Sequence, residues 1–200
     1  MPIDLDDAFV YLPSWLAASE RKKLYNDLRN MHEGLAYFSN LDFDYQLQGD
    51  AYDDAPYVIV GIDAVDVVTT RVVVLSNSCD ISAQNERDDP AMVTVAPLVR
   101  ISKWSTQLAA FGVSVQAIEN KITSATAQEI SNVFFLPAGA GIEEDSIVLF
   151  DQMQSVPMQR FLAANPRRVG ILSQAGHWLL LMKLSMHFSR LQDGVLRDAA

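Results

Sequence analysis

The chain is short of the residues that bind metals and cross-link small folds. It has one cysteine, Cys79, and three histidines in 200 residues. A single thiol excludes an intramolecular disulfide, and no CxxC or Cys/His cluster offers zinc a ligand set. Neither a metal nor a cofactor is expected. Long hydrophobic runs are also missing. The longest apolar stretch, residues 178–182, is far short of the roughly 20 residues that span a bilayer. The opening residues, MPIDLDDAF, lack the basic-then-apolar pattern of a secretion signal, so a soluble, cytoplasmic protein with no membrane association is expected. Basic residues are outnumbered, 15 against 25 acidic, for a net charge of −10. That balance disfavours generic nucleic-acid binding, which needs Lys and Arg on phosphates. The excess is local. Residues 1–70 hold thirteen acidic and four basic side chains, while residues 71–200 are nearly balanced. The acidity serves as a solvated face, and the remainder is left able to present a basic groove.

Half of the residues are hydrophobic, enough for one good core at this length. Residues 14–33 read as a helix capped by Ser14 and ended by Gly34, with Leu16, Leu24, Leu28 and Met31 at helical spacing. β-branched runs follow at 57–62, 67–77, 92–98, 133–136 and 147–151, too short to be preferred as helices. Residues 82–90 form a loop. Residues 104–131 turn helical, broken at Gly112, and Val156 belongs to a short extended continuation. Residues 158–164 read as a helical turn and 169–172 as extended. A helix from 174 to 191 closes the chain, with Trp178, Leu181, Met182, Ser185 and Phe188 on its buried face. Short β runs with little βαβ alternation predict a mainly β fold with helices, a small antiparallel barrel with helices packed outside. The organisation is an acidic helical extension over 1–45 and a barrel domain over 46–200 with an insert at about 104–131.

The most informative residues are RVVVLSNSCDIS (71–82) and MVTVAPLVRIS (92–102), two apolar runs that end in polar tips. RVVVLSN followed by VTVAPL resembles the central strands of the PemK/MazF toxin family of bacterial toxin–antitoxin systems. EDSIVLFDQMQSVPMQRF (144–161) and RVGILSQAGHWLLLMKLSMHF (168–188) resemble its second half, and Gln48-Gly49-Asp50 its opening Gly-Asp. The resemblance covers about half of the chain, in order. It implies an SH3-like barrel, a homodimer, an acidic antitoxin as partner, and metal-independent cleavage of RNA by its own 2′-OH. In that chemistry the protein supplies a general acid or base and a cation for the phosphorane. Two positions depart. The family's catalytic Arg falls on Thr70, and Val99 stands where the family has Thr or Ser.

The candidate catalytic residues are therefore Arg71, one place along from the family's Arg, with Asp151, Asp80 and Ser76. Asn77, Cys79, Arg100 and Gln152 are candidates for substrate contact. Each has a structural alternative. Arg71 reads equally as a surface residue at a strand start. Asp151 and Gln152 read as loop anchors, and Ser76, Asn77 and Asp80 as turn caps. Cys79 reads as a small buried filler. A Cys79 nucleophile would need His177 or His187 as base. Lys103, Arg160, Arg167 and Arg168 complete the cations, with Arg167-Arg168 expected as a solvated pair. Trp15, Trp104 and Trp178 are expected to anchor helices, and His32 to sit at a helix end. Three functions remain open: RNA cleavage or binding, a non-enzymatic barrel used as a protein-interaction module, and a cysteine-dependent hydrolase. The extension over 1–45 either masks Arg71 and Arg100 in cis or packs on an apolar face.

Overall fold

The computed structural model describes residues 35–189, apart from 62, 83, 86 and 87. The helix expected at 14–33, with Trp15 and His32, lies outside the described residues.

β1 (Ala51–Val60) and β2 (Val65–Val74) form a long hairpin. A short helical turn, α1 (Ser78–Ile81), leads to β3 (Met92–Arg100). The insert is two helices, α2 (Ile101–Ala110) and α3 (Val115–Thr126), separated at Gly112. Then come β4 (Val133–Leu136), β5 (Ser146–Leu149), a 3-10 turn (Phe150–Gln152), β6 (Gln154–Pro157), α4 (Met158–Ala163), β7 (Arg167–Gly170) and α5 (Gln174–Ser189). The fold is mixed helix and sheet. All pairings are antiparallel, and the seven strands run β4-β5-β3-β2-β1-β7, with β6 also on β3. The backbone ladder is open. Among the described residues, no helix is long and apolar enough to cross a membrane.

The run Val72–Val74 is wholly buried because β2 is central and both its faces are covered. Val73 joins Leu98, Phe134, Val148 and Phe150 under α5. Val72 and Val74 join Tyr52, Val93, Val95, Val156 and Phe161 on the opposite face. A third cluster packs Trp104 and Ala125 of the insert on β4 and β5. Trp104 and Trp178 are both buried, as packing anchors should be.

Three local departures from the sequence reading have physical causes. The second run ends at Val74, because Asn77 caps α1 by accepting the Cys79 N–H at 2.9 Å. The fifth run ends at Leu149, where the chain turns into the 3-10 segment. Phe188, expected on the buried face of α5, is 68% exposed, and Lys183 is fully buried instead.

Lys183 holds the insert in place. Its Nζ donates to Gln128 O at 2.8 Å and Ile130 O at 2.6 Å, just beyond α3. Gln128 has φ 60° and is buried. Its side chain pairs with the Phe135 backbone of β4 in both directions, at 2.8 and 3.1 Å. Burial pushes the Lys183 ammonium down to about 8.

Candidate functional site

β3 changes partner along its length, and this builds the site. On one edge its first half pairs with β6 and its last residues, Leu98–Arg100, with β5. On the other edge its pairing with β2 runs only from Val74↔Val95 to Val72↔Pro97. Beyond that point β2 and β3 part, and the fork opens two clefts. The larger, about 840 Å³, is lined by β1 and β2 residues with Pro97, Gln107, Asp151, Gln152 and Gln154. The smaller, about 250 Å³, is lined by Asp53, Arg71, Leu98, Arg100 and Glu143. Thr70, Val99 and Lys103 line both.

A bulge sets the charge of the smaller cleft. The β1–β2 register shifts between Tyr52 and Ala55, and Asp54 there has φ 59°. Arg71 meets Asp53 across this shift. Its Nη2 donates to Asp53 Oδ2 at 3.1 Å and its Nε donates to Oδ1. Arg167, the strand partner of Asp53 on β7, donates to the same carboxylate. The Arg71 hydrogen bond holds the Asp53 carboxyl below the usual range. Arg71 is thus already neutralised.

The other candidates are dispersed. Asp151 lines the larger cleft and accepts from Asn132 Nδ2 at 3.0 Å. Gln152 lines it too, and its carbonyl accepts from the Tyr57 hydroxyl at 2.7 Å. Arg100 faces Glu144 at 3.4 Å, with both side chains largely exposed. Ser76 accepts the Thr94 N–H at 2.7 Å and belongs to a separate cleft with Thr94, Gln154 and Ser155. Asn77, Cys79 and Asp80 sit on or beside α1 and line neither fork cleft. Cys79 is exposed, contrary to the expected buried filler.

His177 lies in a third cavity, of about 270 Å³, with Gln48, Asp50 and Ser78. Serine, histidine and aspartate share this space, but Gln48 stands between the first two. His177 Nε2 faces Gln48 Oε1 at 3.3 Å, and Ser78 Oγ accepts the Gln48 N–H at 2.8 Å. Cys79 does not line the cavity. His187 packs on Phe150 and Phe188. Among the described residues no group of three or more His, Cys, Asp or Glu is placed to hold a metal ion.

Sequence reasoning missed Asp53, Arg168 and the burial of Asp50. Arg168, expected in a solvated pair, donates to Tyr52 Oη at 3.1 Å, Phe43 O at 2.8 Å and Tyr45 O at 2.8 Å. It also faces Asp50 at 3.4 Å and Asp42 at 3.5 Å. Asp50 is fully buried, and desolvation pushes its carboxyl up to about 6 despite the Leu47 N–H and Arg168. The sign follows from linkage. Between about pH 4 and 6 the folded chain holds a proton that the unfolded chain has released, so the contribution of Asp50 to stability falls as pH rises. The fall is at most about 3 kcal/mol. Comparing melting temperatures of wild type and Asp50→Asn from pH 4 to 7 checks this. The variant should lack that component of the decline, and parallel curves would refute it.

Comparison with protein-family models and with curated proteins finds no match.

Proposed function

We propose that this chain is a PemK/MazF-like barrel used as a protein-interaction module rather than a nuclease. Support for the barrel comes from Gln154. The Val58 N–H donates to its Oε1 at 3.2 Å, and its Nε2 donates to Val58 O at 3.3 Å. A side-chain amide of β6 thereby stands in for a neighbouring strand on β1. This side-chain link between the two ends of β6-β3-β2-β1 supports a barrel-like arrangement around Tyr52, Val72, Val93 and Phe161. Against cleavage stands the fork itself. Thr70 and Val99, where the resemblance expects a cation and a hydroxyl, both line the two clefts. Thr70 and Val99 bring no cation to a phosphorane, and Arg71 is engaged by Asp53.

The observation that carries the binding reading is the tip of the β1–β2 hairpin. Val58 pairs with Val67 and Val60 with Val65, so the four side chains share one face. Val60, Val65 and Val67 are 75%, 65% and 71% exposed. Clustered exposed aliphatics mark an interaction surface. Exposed Asp63 lies in the connection beside them and exposed Asp66 on the other face of β2, and no Lys or Arg occurs between Arg29 and Arg71. The partner that fits is a protein with an apolar centre and a Lys/Arg rim. Two copies of this acidic hairpin would repel. A photoreactive residue at Val65 is expected to cross-link one partner in cells, where the same group at exposed Asn120 does not. Val60→Glu should abolish the cross-link while leaving the melting temperature nearly unchanged, as a surface substitution does. Equal cross-linking from both positions would overturn the reading.

RNA binding is the second reading. Lys103 favours it, since it lines both clefts and has no ion-pair partner among the described residues.

A further inference from the structure

The outer edge of β1 changes character along its length. From Ala51 to Asp53 it pairs with β7. Past the bulge at Asp54, no strand among the described residues pairs with residues 56–60 on the side away from β2. The ladder fixes what this edge presents. The Gly61 N–H donates to Ala64 O at 2.8 Å across the turn, which makes these two a hydrogen-bonded pair. Antiparallel pairs alternate, so the backbone groups of Tyr57 and Ile59 point toward β2 and those of Val58 and Val60 point outward. Pro56 shares the outward set, a place where edge strands tolerate a missing N–H.

Val58 shows what the edge accepts. Its N–H donates to Gln154 Oε1 at 3.2 Å, and Gln154 Nε2 donates to its carbonyl at 3.3 Å. One carboxamide thus offers the donor and acceptor that one residue of an added strand would offer. Both bonds are longer than the usual distance of about 2.9–3.0 Å, and Gln154 is only half-buried. The amide is a weak, replaceable occupant. At Val60, two residues on, nothing among the described residues bonds the outward N–H and C=O. This stretch lines the cleft of about 840 Å³, within the roughly 300–1,000 Å³ of ordinary ligand sites. Exposed acids stand at both ends of the edge, Asp54 at the bulge and Asp63 in the hairpin connection.

We propose that an extended segment of a partner protein adds to this edge as a β-strand and displaces the Gln154 amide. Its backbone takes over both bonds of Val58 and makes two more at Val60. Alternate apolar side chains lie beside Val58 and Val60, and Lys or Arg at its ends meets Asp54 and Asp63. Main-chain bonds supply affinity in this mode of recognition, and alternate side chains supply specificity. A second copy of this chain would bring the same acids to the same ends. The inference rests on the hairpin tip being a protein-docking surface, and it names the form the partner takes there.

The probe is a blocked peptide, Lys-Val-Thr-Val-Thr-Val-Lys, titrated into the isotopically labelled full chain and followed by amide NMR. Saturable binding is expected. Exchange of the Val60 amide should slow about tenfold or more, and the Gln154 side-chain amide should shift as it leaves Val58. Gln154→Ala removes the competing amide and should tighten binding several-fold. Val60→Pro removes the outward N–H where an edge tolerates proline. It should weaken binding about fivefold or more, the effect of one lost hydrogen bond, while melting like the wild type. Val60→Ala keeps that N–H and should weaken binding less. The same peptide N-methylated at its three central residues should not bind, and this keeps the test decisive if Val60→Pro misfolds. No saturable binding, equal binding of the N-methylated peptide, or an unprotected Val60 amide in the complex would overturn the proposal. Protection of Val60 that grows with protein concentration alone would assign the edge to a second copy and overturn it as well. The two readings fail separately. Without a Val65 cross-link the docking surface itself is lost. A Val65 cross-link that Val60→Glu abolishes and Val60→Pro leaves intact sinks strand addition alone.

Discussion

Lys183→Ala is expected to lower the unfolding free energy by about 3 kcal/mol. The estimate combines two carbonyls deprived of their donor, a cavity where a long aliphatic stem was packed, and an opposing gain from removing a buried charge. The Gln128 and Ile130 carbonyls lose the Lys183 bracket that ties α5 to the end of the insert. Loosening should therefore appear first in α2 and α3, as faster amide hydrogen exchange there than in β1 and β2. Lys183→Met restores most of the volume but not the donor, and should cost less. The pH dependence identifies the cause. The ammonium titrates at about 8 in the folded chain and near 10.5 when free. From pH 8 to 10 the unfolded state thus binds more protons, and wild-type stability should gain from this group as pH rises. The Met variant should lack that gain. Equal stability of wild type and Lys183→Ala at pH 7 would show that the bracket is idle.

Asp53→Ala should have the second large effect. Asp53 accepts from Arg71 and Arg167 together, and the Arg71 and Asp53 side chains are only 19% and 14% exposed. Losing a half-buried, charge-assisted pair is expected to cost about 2 kcal/mol. Arg167 is exposed and will re-solvate, but Arg71 will be left with an unpaired guanidinium in the smaller cleft. The smaller cleft of the variant then carries Arg71, Arg100 and Lys103 against Glu143 alone. Retention of single-stranded RNA at low salt should rise several-fold and vanish as salt is added, because the gain is phosphate neutralisation. Cleavage should remain absent. An Asp53→Ala protein of unchanged stability would mean that the bulge does not serve to position this carboxylate.

The strands were legible where burial is simple. Val72–Val74 is apolar throughout because two cores meet across it, and a run of that kind announces a central strand. The break at Gly112 and the packing roles of Trp104 and Trp178 were legible for similar reasons. Lys183 was not. A lysine in an apolar helix ordinarily marks its wet face, and only the carbonyls left open beyond α3 reverse that rule. Phe188 was misplaced for the complementary reason, since α5 is buried nearly all round and its helical period carries little information. The site was half legible. The positions Thr70, Val99, Asp151 and Gln152 do line one cleft. The neutralising Asp53 was invisible, because its role depends on a one-residue bulge that no pattern of period two can register. Asp50 was noticed only as part of a Gly-Asp pair. Its burial follows from Leu47, Tyr52 and Arg168, which converge on it from separate segments.

The central claim is that the fork does not cut RNA and that the chain binds a protein through the β1–β2 hairpin tip. It is tested most directly by incubating stoichiometric, metal-free wild-type protein with mixed-sequence single-stranded RNA and assaying for 2′,3′-cyclic phosphate ends. The expected result is intact RNA, indistinguishable from buffer, at protein concentrations where the Val65 cross-link forms. Cyclic phosphate ends that accumulate with the wild type and disappear with Arg71→Ala or Asp151→Ala would contradict it.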